Sequence, residues 1–273
     1  MIRSPAAGSG LILLGCLLAA GCASALREPP PLPQLGGGTG TGSGPVENLL
    51  SRADVLYATR TPEGVREASA VYLQAARADT SGIDGLMGAV RAQVWLVDHE
   101  AEAAAREADA TLAVQSAQGC HRIAPEAAGC HYWLGAALGV QAREKQSTAL
   151  DALPRIEQAF LMAAGRSPEL DEAGPDRALA LLYVRAPGWP TGPGDPDRGL
   201  EHARRAMKIR PEYPPNLLAL AEALSATGDE KGARESYSRA LDLARGRSAA
   251  GEADAAEWIH EAETALEKVP GGP

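Results

Sequence analysis

The most reactive side chains in this 273-residue sequence belong to its four cysteines. Cys120 and Cys130 bracket the stretch CHRIAPEAAGC, and each is followed directly by a histidine, His121 or His131. An oxidising compartment would join the two thiols in a disulfide, which in the chain-entropy account stabilises a fold by about 3 kcal/mol. The two Cys-His pairs also offer four ligands that zinc accepts, although their spacing is not a common zinc pattern. The sequence therefore predicts a Cys120–Cys130 disulfide, with a zinc site as the alternative.

A third cysteine, Cys22, is separated only by Gly21 from a short apolar segment, Leu11–Ala20. About ten apolar residues are too few to span a bilayer, which needs ~20, but they are typical of a secretory signal. The stretch LLAAGC resembles a bacterial lipobox, in which the cysteine is acylated and becomes the new N-terminus. The resemblance implies that residues 1–21 are a lipoprotein signal peptide and that Cys22 is the lipidation site. Cys16 is a rival cleavage position, and an ordinary secreted protein is the alternative.

The residues after Cys22 contain no periodic apolar pattern and are dense in proline and glycine. Such a segment buries too little surface to offset its ordering entropy, so residues 22–45 are predicted to form a disordered tether. The folded domain is predicted to span residues 46–269. No Asp follows Cys22, and by resemblance to lipoprotein sorting signals this implies the periplasmic side of the outer membrane, with the lipid as the membrane anchor.

The sequence lacks the motifs that mark common enzyme classes. His99-Glu100 and His260-Glu261 begin like a zinc-protease helix, but neither has a second histidine four residues further on. No Gly-x-Ser-x-Gly elbow or phosphate-binding loop is present. A formal net charge of −9 argues against nucleic acid as a partner. We therefore expect a non-enzymatic protein without a cofactor or a metal.

The body of the chain is rich in strong helix formers, which predicts an all-α fold. Apolar residues recur at helical spacing over Asn216–Ala244, on both sides of a Gly228-Asp229 break. This segment resembles a tetratricopeptide repeat. The residues in phase with the repeat pattern are Leu217, Leu220, Ala221, Leu224, Gly228, Ala233, Tyr237 and Ala240.

Further hairpins follow the same pattern along the chain. Their paired segments are Leu49–Tyr57 with Ala68–Ala75, Gly85–Val97 with Glu100–Gln115, His131–Val140 with Arg155–Leu170, and Pro175–Val184 with Gly199–Pro214. A last helix, Ala253–Val269, is predicted to cap the stack. The fold expected is ten or eleven helices in tetratricopeptide-like hairpins stacked in a right-handed superhelix. A non-repeat helical bundle is the alternative.

Two departures from a plain repeat suggest a binding surface. Tyr132 and Trp133 are large residues among alanines, and Trp189 lies in a proline-rich loop, Ala186–Asp197. Arg177 offers a cation for a carboxylate, and Tyr183 lies six residues further on, so the two point about 120° apart on a helix. Trp189 would bridge that difference. The candidate ligand- or partner-binding residues are thus Tyr132, Trp133, Arg177, Tyr183 and Trp189. The alternatives are core packing for the aromatic residues, with Trp189 filling a gap, and surface capping or pairing for Arg177.

The stretches YWLGAALG, AGPDRALALLYVRAPGW and GPGDPDRGLEHARRAMKIRPEY occur in that order within roughly Cys130–Leu243. They resemble the T-component (TatT) family of TRAP-type transport systems, although Pro193 stands where the family has a further glycine. The resemblance implies homo-oligomeric assembly, docking to a periplasmic substrate-binding protein, and a small organic ligand in an internal channel. A general protein-interaction scaffold of the cell envelope is the alternative, and it would need an open groove instead of an enclosed pocket.

Overall fold

The computed structural model describes residues 43–145 and 149–269, so residues 1–21, Cys22 and nearly all of the predicted tether lie outside it. The described residues form eleven helices and no β-strand, which confirms the all-α prediction. The helices are α1 Ser43–Tyr57, α2 Pro62–Ala78, α3 Asp84–His99, α4 Ala103–Ile123, α5 Ala128–Glu144, α6 Ala149–Arg166, α7 Leu170–Arg185, α8 Pro196–Ile209, α9 Pro214–Ala226, α10 Glu230–Ala249 and α11 Ala255–Lys268.

The helices are arranged as five hairpins, α1/α2 to α9/α10, with α11 packed after the last. Each helix packs on the next along the chain, and each odd-numbered helix also contacts the next odd-numbered one. Among the described residues the even-numbered helices do not contact one another. The odd-numbered helices therefore form the inner, concave layer of a right-handed superhelix, and the even-numbered ones form its outer layer. The pairing is the one that the sequence pattern predicts.

Side-chain caps and prolines set where several helices begin. Thr61, Asp195 and Asp229 each accept a hydrogen bond from a backbone N–H in the first turn of α2, α8 and α10. Pro62 and Pro196 follow two of these caps, where the missing N–H costs nothing and the fixed φ favours the helix. Gly228 adopts φ +85° just before α10, a conformation that glycine allows at low cost.

The core lies between the two layers and depends on close helix contact. Small residues are buried wherever hairpins meet, and the predicted stripe residues Leu217, Ala221 and Ala240 are among the buried ones. A Cβ atom on Gly88 would lie 2.4 Å from the Tyr72 ring, so only glycine lets that ring pack flat on α3. None of the helices formed by the described residues is both long enough and apolar enough to cross a membrane.

Candidate binding site

An open cavity of about 490 Å³ lies on the concave layer between α1, α3, α5 and the start of α7. We call it the Trp133 cavity; its lining residues are Leu50, Asp54, Tyr72, Asp84, Met87, Gly88, Arg91, Trp133, Leu170 and Asp171. The Trp133 ring is half-buried and stands edge-on to the Tyr132 ring, with 5.0 Å between ring centroids. The cavity thus combines apolar surface from several helices with carboxylate and guanidinium groups.

One wall of the Trp133 cavity is a hydrogen-bonded group of Tyr72, Asp54 and Arg91. The Tyr72 hydroxyl donates to the Asp54 carboxylate. Arg91 Nη2 donates to the same Asp54 oxygen at 3.0 Å and to the Tyr72 hydroxyl at 2.7 Å. Burial, followed by the hydrogen bond to Asp54, raises the pKa of Tyr72, so the phenol stays a donor at neutral pH. Arg91 Nε is buried without a hydrogen-bond partner, so this arginine has donor capacity to spare.

A second group of the same composition, Tyr132, Asp171 and Arg177, contributes Asp171 to the lining of the cavity. The Tyr132 hydroxyl donates to Asp171 Oδ2, and Arg177 Nη2 donates to the same oxygen at 2.9 Å. Burial raises the pKa of Tyr132, and the neighbouring Asp171 carboxylate adds to the effect. Residues of two Tyr–Asp–Arg groups therefore line the same cavity as Trp133.

A left-handed turn places Asp171 in the cavity wall. Asp171, Glu172 and Ala173 have φ values of 49°, 56° and 66°, which for residues other than glycine costs roughly 1–2 kcal/mol each. Arg177 donates to the backbone carbonyls of Asp171 (3.2 Å) and Glu172 (3.1 Å). Asn216 on α9 donates to the Glu172 carbonyl at 3.0 Å. The surrounding side chains thus hold a costly backbone conformation at the edge of the cavity.

Arg177 therefore has a different place from the one expected for a ligand-binding cation. Besides the turn, its guanidinium donates to Asn216 Oδ1 at 3.0 Å and lies 5.3 Å from the centre of the Tyr213 ring. Its terminal nitrogens are committed to protein acceptors. The alternative interpretation, capping or pairing at the helix surface, is closer to what is observed. The cation that lines the Trp133 cavity is Arg91.

Tyr183 does not line the cavity and lies in the buried core between the helix layers. It is fully buried on α7, and its hydroxyl donates to Glu157 on α6 at 2.7 Å. The Arg198 guanidinium of α8 lies 4.0 Å from the centre of its ring. Arg177 and Tyr183 point in different directions, as their spacing predicts, and Trp189 does not bridge them.

Trp189 fills no gap in the stack, so that expectation is wrong. Its side chain is 90% exposed. The backbone of its loop is closed at the base, because Gly194 N–H donates to the Pro187 carbonyl at 2.9 Å and Asp195 N–H donates to the Tyr183 carbonyl at 2.8 Å. A Cβ on Gly194 would lie 2.1 Å from the Ala186 carbonyl oxygen, so glycine is required there. The paired base presents the indole to solvent.

The two cysteines meet between α4 and α5. Cys120 and Cys130 are fully buried, with Sγ atoms 1.99 Å apart and Cα atoms 5.4 Å apart, a separation that a disulfide accommodates. In the described part of the chain no group of three or more His, Cys, Asp or Glu residues could hold a metal ion, so the zinc alternative finds no support. The oxidation state of the pair in the cell remains a prediction.

Sequence reasoning missed Asp54, Arg91 and Asp171. Arg91 had a usable signal, because it is the only charge in the apolar run Leu86–Val97, and a charge in such a run has to find a partner. Asp171 had no such signal, because no residue pattern in the sequence predicts three successive left-handed residues.

Comparison with solved structures supports the tetratricopeptide-type fold. A thermophilic TPR protein of Thermus thermophilus, TTC0263, superposes with a TM-score of 0.60 at 18% identity, covering 80% of this chain and 99% of that one. The MamA protein gives a TM-score of 0.44 at 18% identity, covering 76% of this chain and 96% of its own. No family model matches the sequence, and no curated protein matches it. At this identity the likeness to TTC0263 is one of fold alone.

Proposed function

We propose that this protein is a lipid-anchored binding accessory of a TRAP-type transport system, facing the periplasm from the outer membrane. Its Trp133 cavity would receive a small organic ligand or a side chain of a partner protein. The observation that carries the proposal is that residues of two Tyr–Asp–Arg groups line one cavity of the concave layer together with Trp133.

The cavity has the size and composition of a ligand site. Its volume of about 490 Å³ lies within the ~300–1,000 Å³ typical of small-molecule pockets. Leu50, Met87 and Trp133 supply apolar contact, while Asp54 and Arg91 supply an acceptor and a donor that the fold has already oriented. Preorganised polar groups lower the cost of ordering on binding.

A protein partner is supported by the Trp189 loop. Exposed tryptophans on fixed backbones provide large contact areas at low entropic cost, and tryptophan is enriched at binding hot spots. In this proposal the loop docks a periplasmic substrate-binding protein, which is the partner that the T-component resemblance implies. The Trp133 cavity and the Trp189 loop would then be separate surfaces with separate partners.

A general interaction scaffold of the cell envelope is the second candidate. It is favoured by the open form of the Trp133 cavity and by the nearly complete exposure of the Trp189 side chain. A scaffold would bind protein through Trp189 and hold no small molecule in the cavity.

Native mass spectrometry of the full-length protein, purified from membranes, separates the two candidates. The transport accessory predicts a bound small molecule that is retained by Trp189→Ala and lost by Trp133→Ala. The scaffold predicts no bound molecule in either variant. A molecule that stays bound in Trp133→Ala would place the site elsewhere and contradict the proposal.

The anchor is tested by metabolic labelling with a fatty acid. The wild-type protein should be labelled and recovered with the outer membrane, whereas Cys22→Ser should be neither. Equal labelling of the two proteins would contradict lipidation at Cys22, and a matching Cys16→Ser variant tests the rival cleavage position.

A further inference from the structure

The first and last hairpins of the superhelix meet through side chains alone. Arg60, in the turn between α1 and α2, donates from Nε to Asp254 Oδ1 at 2.6 Å and from Nη2 to Asp254 Oδ2 at 2.8 Å. Asp254 immediately precedes α11, 194 residues further along the chain. Among the described residues neither α1 nor α2 packs against α10 or α11. The contact therefore joins the two ends of the solenoid without a helix interface.

The Arg60 side chain is fixed before it reaches Asp254. Its backbone adopts a φ of 50°, and its Nη1 donates to the Tyr57 carbonyl at 3.0 Å. The guanidinium lies 4.0 Å from the centre of the Tyr57 ring, a cation–π arrangement. The Arg60 and Asp254 side chains are only 22% and 24% exposed. A bidentate, partly buried pair of this kind is screened by salt less than an exposed pair.

We call the contact between the α1–α2 turn and the residues just before α11 the seam. It borders the Trp133 cavity. A second cavity of about 500 Å³ lies between the α1–α2 turn and Ala250–Ala253, and Asp54 and Arg91 line both cavities. Arg91 also lies 4.4 Å from the Tyr57 ring, on which Arg60 packs. Breaking the Arg60–Asp254 contact would therefore open a path to the Arg91 side of the Trp133 cavity.

We infer that the Arg60–Asp254 pair is a clasp that closes the superhelix into a ring and gates a second route, on the Arg91 side, into the otherwise open Trp133 cavity. The gating role rests on the proposed function, whereas the closure does not. Opening requires only side-chain contacts to break, because no helix packing spans the seam between the described helices. A second, longer contact joins the same two regions, between His99 Nε2 and Glu257 Oε2 at 3.8 Å. We expect it to break when the Arg60–Asp254 pair opens.

Hydrogen–deuterium exchange of the full-length protein, without any ligand, tests the closure. Asp254→Asn keeps the side-chain shape and weakens the charge pair, and we expect about fivefold faster exchange in residues 57–62 and 249–256. The matched control is Arg245→Ala, which breaks the exposed Arg245–Glu263 pair between the adjacent helices α10 and α11. The charge-swapped double variant Arg60→Asp/Asp254→Arg should regain wild-type exchange at the seam.

Equal hydrogen–deuterium exchange at the seam in Asp254→Asn and Arg245→Ala would overturn the clasp, as would a charge swap that fails to restore protection.

Gating is measured separately by acrylamide quenching of tryptophan emission. Asp254→Asn should increase quenching over the control, and the increase should vanish in the Asp254→Asn/Trp133→Phe variant. An increase that survives Trp133→Phe would overturn gating of this cavity and leave ligand binding in it untouched.

Discussion

Arg177 donates to both the side chain and the backbone carbonyl of Asp171, at 2.9 and 3.2 Å, so one guanidinium fixes that residue at two points. It also holds the Glu172 carbonyl. Arg177 thus positions the left-handed turn instead of facing the cavity. The cavity wall formed by Asp171 depends on this arrangement.

Arg177→Ala should lower the free energy of unfolding by about 2 kcal/mol, chiefly because it leaves the buried Asn216 Oδ1 without its donor. The loss of the ion pair adds little, because the Asp171 carboxylate is 40% exposed and keeps its hydrogen bond from Tyr132. Arg177→Lys should recover only part of the loss, since a lysine cannot reproduce the forked geometry. Urea denaturation measures both variants. Full recovery in Arg177→Lys would show that charge alone, and not the fork, holds the turn.

Glu172→Asn should raise the free energy of unfolding by about 0.5–1 kcal/mol, because asparagine tolerates left-handed backbone better than glutamate does. The substitution also removes the exposed Glu172–Arg210 pair, which contributes little. The matched control is Glu172→Gln, which removes the same ion pair but lacks asparagine's tolerance of left-handed backbone. A gain in the control equal to that in Glu172→Asn would contradict strain as the cause.

The repeat pairing could be predicted from the sequence because alanine and leucine stripes report directly which faces are buried. The candidate site could be predicted only in part. Trp133 stood out by its size among small residues, but the groups around it come from four helices and depend on the turn at Asp171–Ala173. Trp189 stood out as a candidate binding residue by its place in a proline-rich loop. Its almost complete exposure could not be predicted, because the hydrogen bond from Gly194 to Pro187 that closes the loop leaves no periodic pattern in the sequence.

Intact-mass measurement before and after reduction should show a gain of two protons if the Cys120–Cys130 disulfide forms. The double variant Cys120→Ser/Cys130→Ser should have a free energy of unfolding about 3 kcal/mol lower than the wild type, since the bridge closes a short loop between α4 and α5. The measurement is made on protein extracted with detergent from the outer membrane. Two titratable thiols in that material, beyond any at Cys16 and Cys22, would contradict the disulfide.

Stability should fall on acidification through His131. Burial lowers the pKa of this imidazole below its usual value near 6.5, and the nearby His121 and Arg166 add to the effect, while the Pro125 carbonyl and Glu126 oppose it. The unfolded chain therefore takes up the proton first, so the stabilisation is complete above about pH 6.5 and declines as the pH falls below it.

His131→Gln should flatten the dependence of the urea midpoint on pH between about pH 7.5 and 5, the range in which an imidazole titrates. The control is His260→Gln, on the exposed face of α11. An unchanged pH dependence in His131→Gln, or the same flattening in the control, would assign the acid sensitivity to other groups.

Trp189→Ala should leave the melting temperature within about 1 °C of the wild type, because an indole that is 90% exposed contributes little to packing. It should also remove the most readily quenched part of the tryptophan emission, whereas Trp258→Phe, in the buried core, should not. A large drop in melting temperature in Trp189→Ala would show instead that this side chain packs against the fold.

If the loop is a docking surface, a photo-crosslinking residue at position 189 should capture a periplasmic binding protein in intact cells. The same residue at Val55, which is 70% exposed on α1, should not capture it. Capture at both positions would reflect general exposure and would contradict a specific docking surface at the Trp189 loop.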